Sequence, residues 1–400
     1  MVPSKSMNRV VVGTVLWLLI PSLGVVQKFL GIAGVVTYAT VASLIFFAGY
    51  KRGFRAFTSR VSEKAVPWLV GATFLGLALI FLVVYPVADS GVPGVGPGSD
   101  RDEALNIATT QLLHGHYPYY QKTYLGTPIT PMPGALLLAI PFVLIGNSAY
   151  QNLFWLFVFF LFAKSFLKSG RLALLLLWTI LALSPVVLHA LVTGGDYLAN
   201  SLYVMLFVVW MVSATLRSDH GGPGLLAPAV LLGIGLSSRL NFATLLPLIF
   251  SALVRVAGWK TTVKYFAVTC ATSTAITLPF YLYDPQGFSP LLTSASKLGA
   301  FQSMVPLVGI IVPLVTGVIS LALALQRANR DLTIMLRNCA IVLVFPILCG
   351  IVLASVQAGR PEFYYPDSFA SYSLPAMVFG VTAAWPKLFK RSTYSVDHNS

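Results

Sequence analysis

Three of the chain's twelve acidic residues crowd into Ser99-Asp100-Arg101-Asp102-Glu103-Ala104-Leu105. Carboxylates at that spacing suit a helix start, in which Asp100 is the N-cap and Glu103, three residues on, closes a capping box. That leaves Asp102 without a structural duty. On a helix it shares a face with Asn106 and Thr109, away from the apolar stripe of Leu105, Ala108 and Leu112. A carboxylate aimed from that face into a polar cavity could act as general base toward an incoming hydroxyl. Asp100-Arg101-Asp102 also has the D-x-D form of metal-dependent nucleotide-sugar sites, but three residues are an unspecific pattern. They assign no metal and no cofactor, and leave a divalent ion open.

The elements that must carry these residues are membrane spans. Of 400 residues, 57% are hydrophobic and 10% charged, far below the roughly 25% charged content of a soluble domain. Apolar runs such as 10–26, 66–88 and 263–282 are each long enough to cross a hydrocarbon core of about 30 Å, and in lipid the backbone satisfies itself as helix. The expected fold is an all-α polytopic membrane protein of about twelve transmembrane helices. It forms a single integral domain: three spans over 10–88, a long outer loop with interfacial helices over 89–148, the remaining spans over 149–386, and a tail over 387–400. Lys5 and Arg9 precede the first apolar run without a small-residue cleavage pattern after it, so that run reads as an anchor.

The net charge of +14 does not point to nucleic acid, because the cations lie in gaps between spans. Twenty of the 26 lysines and arginines fall in gaps that the positive-inside rule places in the cytoplasm, among them Lys51, Arg52, Arg55, Arg60, Lys64, Lys164, Lys168 and Arg171. The expected location is the cell membrane with both termini cytoplasmic. The outer face keeps Lys28, Arg101, Lys122, Arg239, Lys297 and Arg360, together with eight of the twelve acids. Cys270, Cys339 and Cys349 lie in apolar runs without ligand-like spacing and read as core.

The outer loop starts as a Gly- and Pro-rich stretch over 89–133, too long to lack a role. Within it, residues 101–113 read as an interfacial amphipathic helix ending at His114-Gly115-His116-Tyr117-Pro118. The apolar piece 133–145 is too short to span and reads as interfacial or re-entrant. Spans one and two are expected to turn at Gln27 and Lys28. Outer turns follow at 194–196, 284–302 and 357–371. Residues 225–255 are interrupted by Ser237-Ser238-Arg239-Leu240-Asn241, which reads as a break between two half-spans.

The segments Asp102-Glu103-Ala104-Leu105, Leu112-Leu113-His114-Gly115-His116-Tyr117-Pro118-Tyr119 and Pro131-Met132-Pro133-Gly134-Ala135-Leu136-Leu137 resemble the first outer loop of GT-C superfamily glycosyltransferases. Their texture is nearest to actinobacterial polyprenyl-phosphomannose-dependent mannosyltransferases. Gly235 through Asn241, Pro279 through Pro285, and Arg360 through Pro366 with Tyr372-Ser373-Leu374-Pro375 follow in the order that family has. The chain departs from it in carrying the acidic cluster after its third span, and in following the C-terminal arginine with Pro-Glu.

The resemblance implies an inverting transfer of a mannose- or arabinose-like sugar from a polyprenyl-phosphate donor to a lipid or glycan hydroxyl at the outer face. It maps the family carboxylate onto Asp102, with Glu103 beside it and Asp100 as the rival. Arg239, Arg360 and Arg101 are the candidate cations for the donor phosphate; an arginine at a span break is costly without an anionic partner. His114, His116, Asp196 and Tyr119 are candidate substrate contacts, although Asp196 also suits a helix cap and the tyrosine an interfacial belt. The alternative is a transporter or flippase of a lipid-linked saccharide, which would bury ionisable groups and often carry repeats.

Overall fold

A computed structural model describes residues 5–90, 99–217, 223–365 and 369–389. Among them the fold is helical, with no strand beyond one isolated bridge between Lys122 and Pro128. The helices are α1 (Lys5–Leu19), α2 (Leu23–Ala48), α3 (Phe54–Arg60), α4 (Val66–Ser90), α5 (Glu103–Leu113), α6 (Pro133–Leu144), α7 (Gln151–Leu167) and α8 (Gly170–Leu183). They continue as α9 (Pro185–Val192), α10 (Asp196–Arg217), α11 (Leu226–Leu236), α12 (Leu246–Tyr283), α13 (Ser289–Gly299), α14 (Val308–Leu325), α15 (Leu332–Ala358) and α16 (Leu374–Phe389).

Seven helical stretches among the described residues are long and apolar enough to cross a membrane, or eight if the α8–α9 pair, bent by 82°, is one span. The expectation was about twelve, and the difference lies in broken and short pieces. Two stretches, Met7–Arg60 and Leu240–Tyr283, run for 54 and 44 residues. As straight helices they would reach about 80 and 65 Å at 1.5 Å per residue, at least twice a hydrocarbon core. Each is interrupted at a glycine: Gly31 has φ 64° and ψ −168°, and Gly258 has φ 76° and ψ 171°. The second interruption falls inside the basic gap around Arg255, Lys260 and Lys264. The first corrects the expected turn at Gln27 and Lys28, which are still helical. The chain waits for the first residue that accepts positive φ without a Cβ clash. Two shorter apolar helices remain, α11 and α6, the latter being the piece expected not to span.

Large apolar side chains stand uncovered on the outside of the bundle: Trp68 is 83% exposed and Val83 71%. In water such a surface would be a liability, whereas in lipid it is the ordinary outer face of a span. The main core runs through α1, α7, α8, α10, α12, α15 and α16.

Contacts between connecting segments gather at two ends. At one end Glu63 accepts bonds from the Ser169 hydroxyl and the Gly170 N–H and pairs with Arg171 at 3.1 Å. Phe54 packs on Trp385 and Phe389, and the Trp385 indole donates to the Leu172 carbonyl. At the other end the Gln27 side chain accepts bonds from the Phe363 and Tyr364 N–H groups and donates to the Pro361 carbonyl. Thr123 there meets Asp100, and Asp196 meets Arg239. Gly380 lies against Trp17, and Gly24 against Ala370, so α1 and α16 run antiparallel. The start of α1 and the end of α16 therefore share the end where the basic gaps collect.

Residues 284–302, expected as a plain loop, contain α13. Residues 225–255 break where expected: α11 stops at Leu236 and helical structure resumes at Leu240.

Candidate functional site

The break after α11 is built by two serines. The Ser237 and Ser238 hydroxyls fold back onto the carbonyls of Ile234 and Gly235, at 2.9 and 2.6 Å, competing with helix continuation. Their own carbonyls accept the Gly134 and Met132 N–H groups at the start of α6. Unpaired N–H groups at one helix start thus meet unpaired C=O groups at another helix end. Arg239 follows in extended conformation, at φ −153° and ψ 139°, and its side chain turns inward. Its guanidinium donates to both oxygens of Asp196, at 2.5 Å to Oδ1, reaches Thr130 Oγ1 at 3.3 Å, and lies 4.7 Å from the centre of the Tyr197 ring. The two side chains are 12% and 6% exposed. Such a charge pair is sustained only because each charge has its partner. Asp196 also accepts a bond from Asn200 at 3.1 Å.

Beside this pair opens a cavity of about 170 Å³. Asp100, Arg101, Asp196 and Arg239 give it two carboxylates and two guanidinium groups, and hydroxyls come from Thr123, Thr127, Thr130 and Ser371. Tyr197 and Tyr372, with ring centres 4.9 Å apart, form an aromatic wall.

The capping-box expectation does not hold. Asp102 is the N-cap of α5, in helical conformation and without a side-chain cap bond. The carboxylates of Asp100 and Glu103 bind the next turn of the loop instead: Asp100 Oδ2 accepts the Thr123 hydroxyl at 2.7 Å, and Glu103 Oε2 accepts the Tyr124 N–H at 3.0 Å. Thr123 is itself fixed, since its Oγ1 accepts the Thr127 N–H at 3.1 Å. Two carboxylates given outside donors have no call to fold back on their own helix.

Asp102 was the preferred base, and the structure places it elsewhere. It is 2% exposed and does not line the cavity. Its Oδ2 accepts Tyr85 Oη at 2.5 Å and Asn106 Nδ2 at 3.2 Å, while Asn147 Nδ2 donates to the same tyrosine oxygen at 2.5 Å. Asn106 closes the ring by donating to Asn147 Oδ1 at 3.1 Å and accepting the Ser148 N–H at 2.8 Å. The face shared by Asp102, Asn106 and Thr109 thus points into the packing between α4, α5 and residues 147–149. Burial pushes the Asp102 carboxyl above the ordinary carboxylate range, with the Tyr85 bond opposing it. The two aspartates of the D-x-D pattern diverge, and among the described residues no three His, Cys, Asp or Glu side chains converge as a metal site would require.

Of the other expected residues, Arg101 lines the cavity next to Gly195. His114 and His116 sit at the opposite end of α5, exposed, with their Nδ1 atoms bonded locally to the Thr110 carbonyl and Gln111 Oε1. An eleven-residue helix is about 16 Å long, so neither reaches the cavity. Tyr119 is 4% exposed and packed edge-on against Phe288 at 4.9 Å. Its phenol is driven well above its ordinary range by burial, and no sugar can stack on it. Arg360 is 70% exposed, 3.9 Å from Glu362, and off the cavity. Asp367, one of the eight expected outer acids, lies outside the described residues.

No family model, no curated protein and no solved structure matches the chain. The site is therefore read from its own geometry. Sequence reasoning missed Tyr197, Tyr372, Thr123 and Thr130, which complete the cavity, and Tyr85 and Asn147, which hold Asp102. The hydroxyl spacing Thr123, Thr127, Thr130 was a usable signal, as was Tyr197 directly after Asp196. Tyr85 sits in an apolar run and gave none.

Proposed function

We propose that the chain is a GT-C-like membrane glycosyltransferase, which transfers a mannose- or arabinose-like sugar from a polyprenyl-phosphate donor to a lipid or glycan hydroxyl, with inversion. The observation that carries this reading is that the adjacent Asp100 and Arg101 line one cavity with Arg239, which lies more than a hundred residues downstream. Asp100 replaces Asp102 as the base. It takes the proton of the acceptor hydroxyl as that oxygen attacks the anomeric carbon, while the guanidinium groups of Arg101 and Arg239 meet the charge that grows on the departing phosphate. The positive charge on the sugar ring develops between them, as in other glycosyl displacements.

The topology that goes with this function has about twelve crossings in the cell membrane, both termini in the cytoplasm, and the cavity at the outer face. It is supported by the gathering of the basic gaps at the end opposite the cavity. The same cavity favours a second reading in one respect: a buried Asp196–Arg239 pair at a helix break also suits a transporter, in which paired ionisable residues and broken helices mark the substrate path.

One experiment separates the two readings. Purified protein in vesicles receives a short-chain polyprenyl-phosphate mannose or arabinose together with a hydroxyl acceptor. The enzyme reading expects sugar transfer that Asp100→Asn abolishes and Asp102→Asn does not. Lipid movement across the bilayer without transfer supports the transporter, and transfer undiminished in Asp100→Asn removes the base.

A further inference from the structure

The end of the molecule opposite the cavity carries a charge imbalance that neither reading uses. The helix begun by α2 does not stop where its apolar run does. It passes through one π-helical turn, Gly49–Gly53, into α3 and ends at Arg60. Cations begin three residues past Ala48, the last residue of α2: Lys51, Arg52, Arg55 and Arg60 are all exposed, and Lys64 follows in the turn before α4. The other side of the same helix is tied to the bundle. Phe54 packs on Phe46, Trp385 and Phe389 with ring centres 5.7 to 6.2 Å apart, and Phe57 packs on Trp178 at 5.4 Å. The cations are therefore held outward by a fixed helix face.

A second basic segment lies alongside. Lys164 and Lys168, at the end of α7, are also exposed, which makes seven uncovered cations over the two segments. The Arg171 guanidinium donates to the Thr58 carbonyl at 2.6 Å and joins the segments directly. Among the described residues only one carboxylate belongs to this surface, and it is consumed. Glu63 takes the Arg171 Nε, the Ser169 hydroxyl and the Gly170 N–H, and these contacts hold its carboxyl below the ordinary range despite partial burial. None of the seven exposed cations has a carboxylate partner among the described ion pairs.

We infer that residues 51–64 and 164–168 form a docking surface for the headgroups of anionic phospholipids. Position selects the occupant. The cations start within a turn of the end of an apolar span, at headgroup depth, and clusters of four to eight lysines and arginines in that place attract anionic lipid over zwitterionic lipid. The uncovered side chains of α4 beside this surface, with Trp68 83% exposed, supply the wall against which acyl chains lie. A soluble polyanion would find the same charge without that wall. The inference depends on the membrane placement of the helices and not on sugar transfer.

The test uses the full chain purified in detergent and doped with equal amounts of phosphatidylglycerol and phosphatidylcholine, the lipid retained per protein being counted by native mass spectrometry. The expected result is retention of phosphatidylglycerol several-fold above phosphatidylcholine. The variant Lys51→Gln, Arg52→Gln, Arg55→Gln, Arg60→Gln should lose that excess, because it removes four exposed charges and no packing contact. Arg327→Gln with Arg330→Gln, exposed cations on another segment, should keep it. Equal retention of the two lipids, an excess unchanged in the quadruple variant, or an excess lost equally in the control pair overturns the inference.

Discussion

Tyr85 donates a 2.5 Å hydrogen bond to Asp102, joining the last turns of α4 to the start of α5 through a carboxylate with no access to the cavity. Two substitutions separate a holding role from a catalytic one. Asp102→Asn keeps an acceptor for Tyr85 and should leave turnover within a few-fold of wild type. Asp102→Ala strands the Tyr85 hydroxyl and the Asn106 amide and should cost about 2 kcal/mol, read as a lower melting temperature in detergent. A loss of turnover in Asp102→Asn at an unchanged melting temperature would return the carboxylate to the chemistry.

The same residue sets a pH dependence. Burial is the largest influence on Asp102 and raises its carboxyl from 3.8, so between the unfolded and folded values the native state holds the proton that the unfolded state has released. Stability from this group is full at pH below the ordinary carboxylate range and is lost as pH rises through the folded value. Asp102→Asn does not titrate. Its melting temperature relative to wild type should therefore be more favourable at pH 7 than near pH 4. A difference that is flat, or runs the other way, means that the Tyr85 and asparagine bonds outweigh burial.

Thr123 should act on Asp100 alone. Its hydroxyl holds one carboxylate oxygen at 2.7 Å and is itself held by the Thr127 N–H. Thr123→Val removes both bonds and frees the proposed base to rotate, and turnover should fall about tenfold or more, as positioning effects do. Thr123→Ser restores the hydroxyl and should restore most of the rate. Equal turnover in the valine and serine variants would separate the Thr123 bond from function.

How much of this was legible beforehand follows from local against distant causes. The helix at 103–113, the short apolar helix at 133–144 and the break at 237–239 are written in runs, prolines and serines, and the sequence reading found them. The surroundings of Asp102 were not legible, because helix periodicity says which residues share a face and not what that face meets. Here it meets Tyr85 and Asn147, neither of which has a local reason to be there. The capping box failed for the same cause, since Thr123 and Tyr124 outcompete the helix's own N–H groups. Arg239 stands out because an arginine at a span break needs an anion, yet the sequence around Asp196 suggests a substrate contact or a helix cap and does not name it as that anion.

That partner makes a further prediction. Removing one member of a buried, well-bonded charge pair strands the other, at a cost of about 3 to 5 kcal/mol. Arg239→Met and Asp196→Asn should each lower the melting temperature markedly, Arg239→Met the more, because an unpaired Asp196 keeps only Asn200. Combining Arg239→Met with Asp196→Leu should recover much of the stability and none of the activity. Additive losses in the combined variant would mean that the two side chains are not energetically coupled.

Gly194 and Gly195 precede the pair and should respond differently to one methyl group. Gly194 has φ +67°, and a Cβ there would sit 2.7 Å from Asp102 Cβ and 3.0 Å from Ala149 Cβ. Gly194→Ala thus combines a left-handed backbone with a clash against the α5 start and residue 149, and neither neighbour is a flexible chain end. Little folded protein should be recovered. At Gly195 the first contact of an added Cβ is Arg101 Cδ at 3.4 Å, ordinary packing against a movable stem, so Gly195→Ala should fold. Because Arg101 lines the cavity, the added methyl presses on a cation assigned to the donor phosphate, and the effect should appear in KM for the donor more than in melting temperature. Gel-filtration recovery and donor titration of the two alanine variants measure both outcomes; a well-folded Gly194→Ala would mean that the turn before α10 can relax away from Asp102.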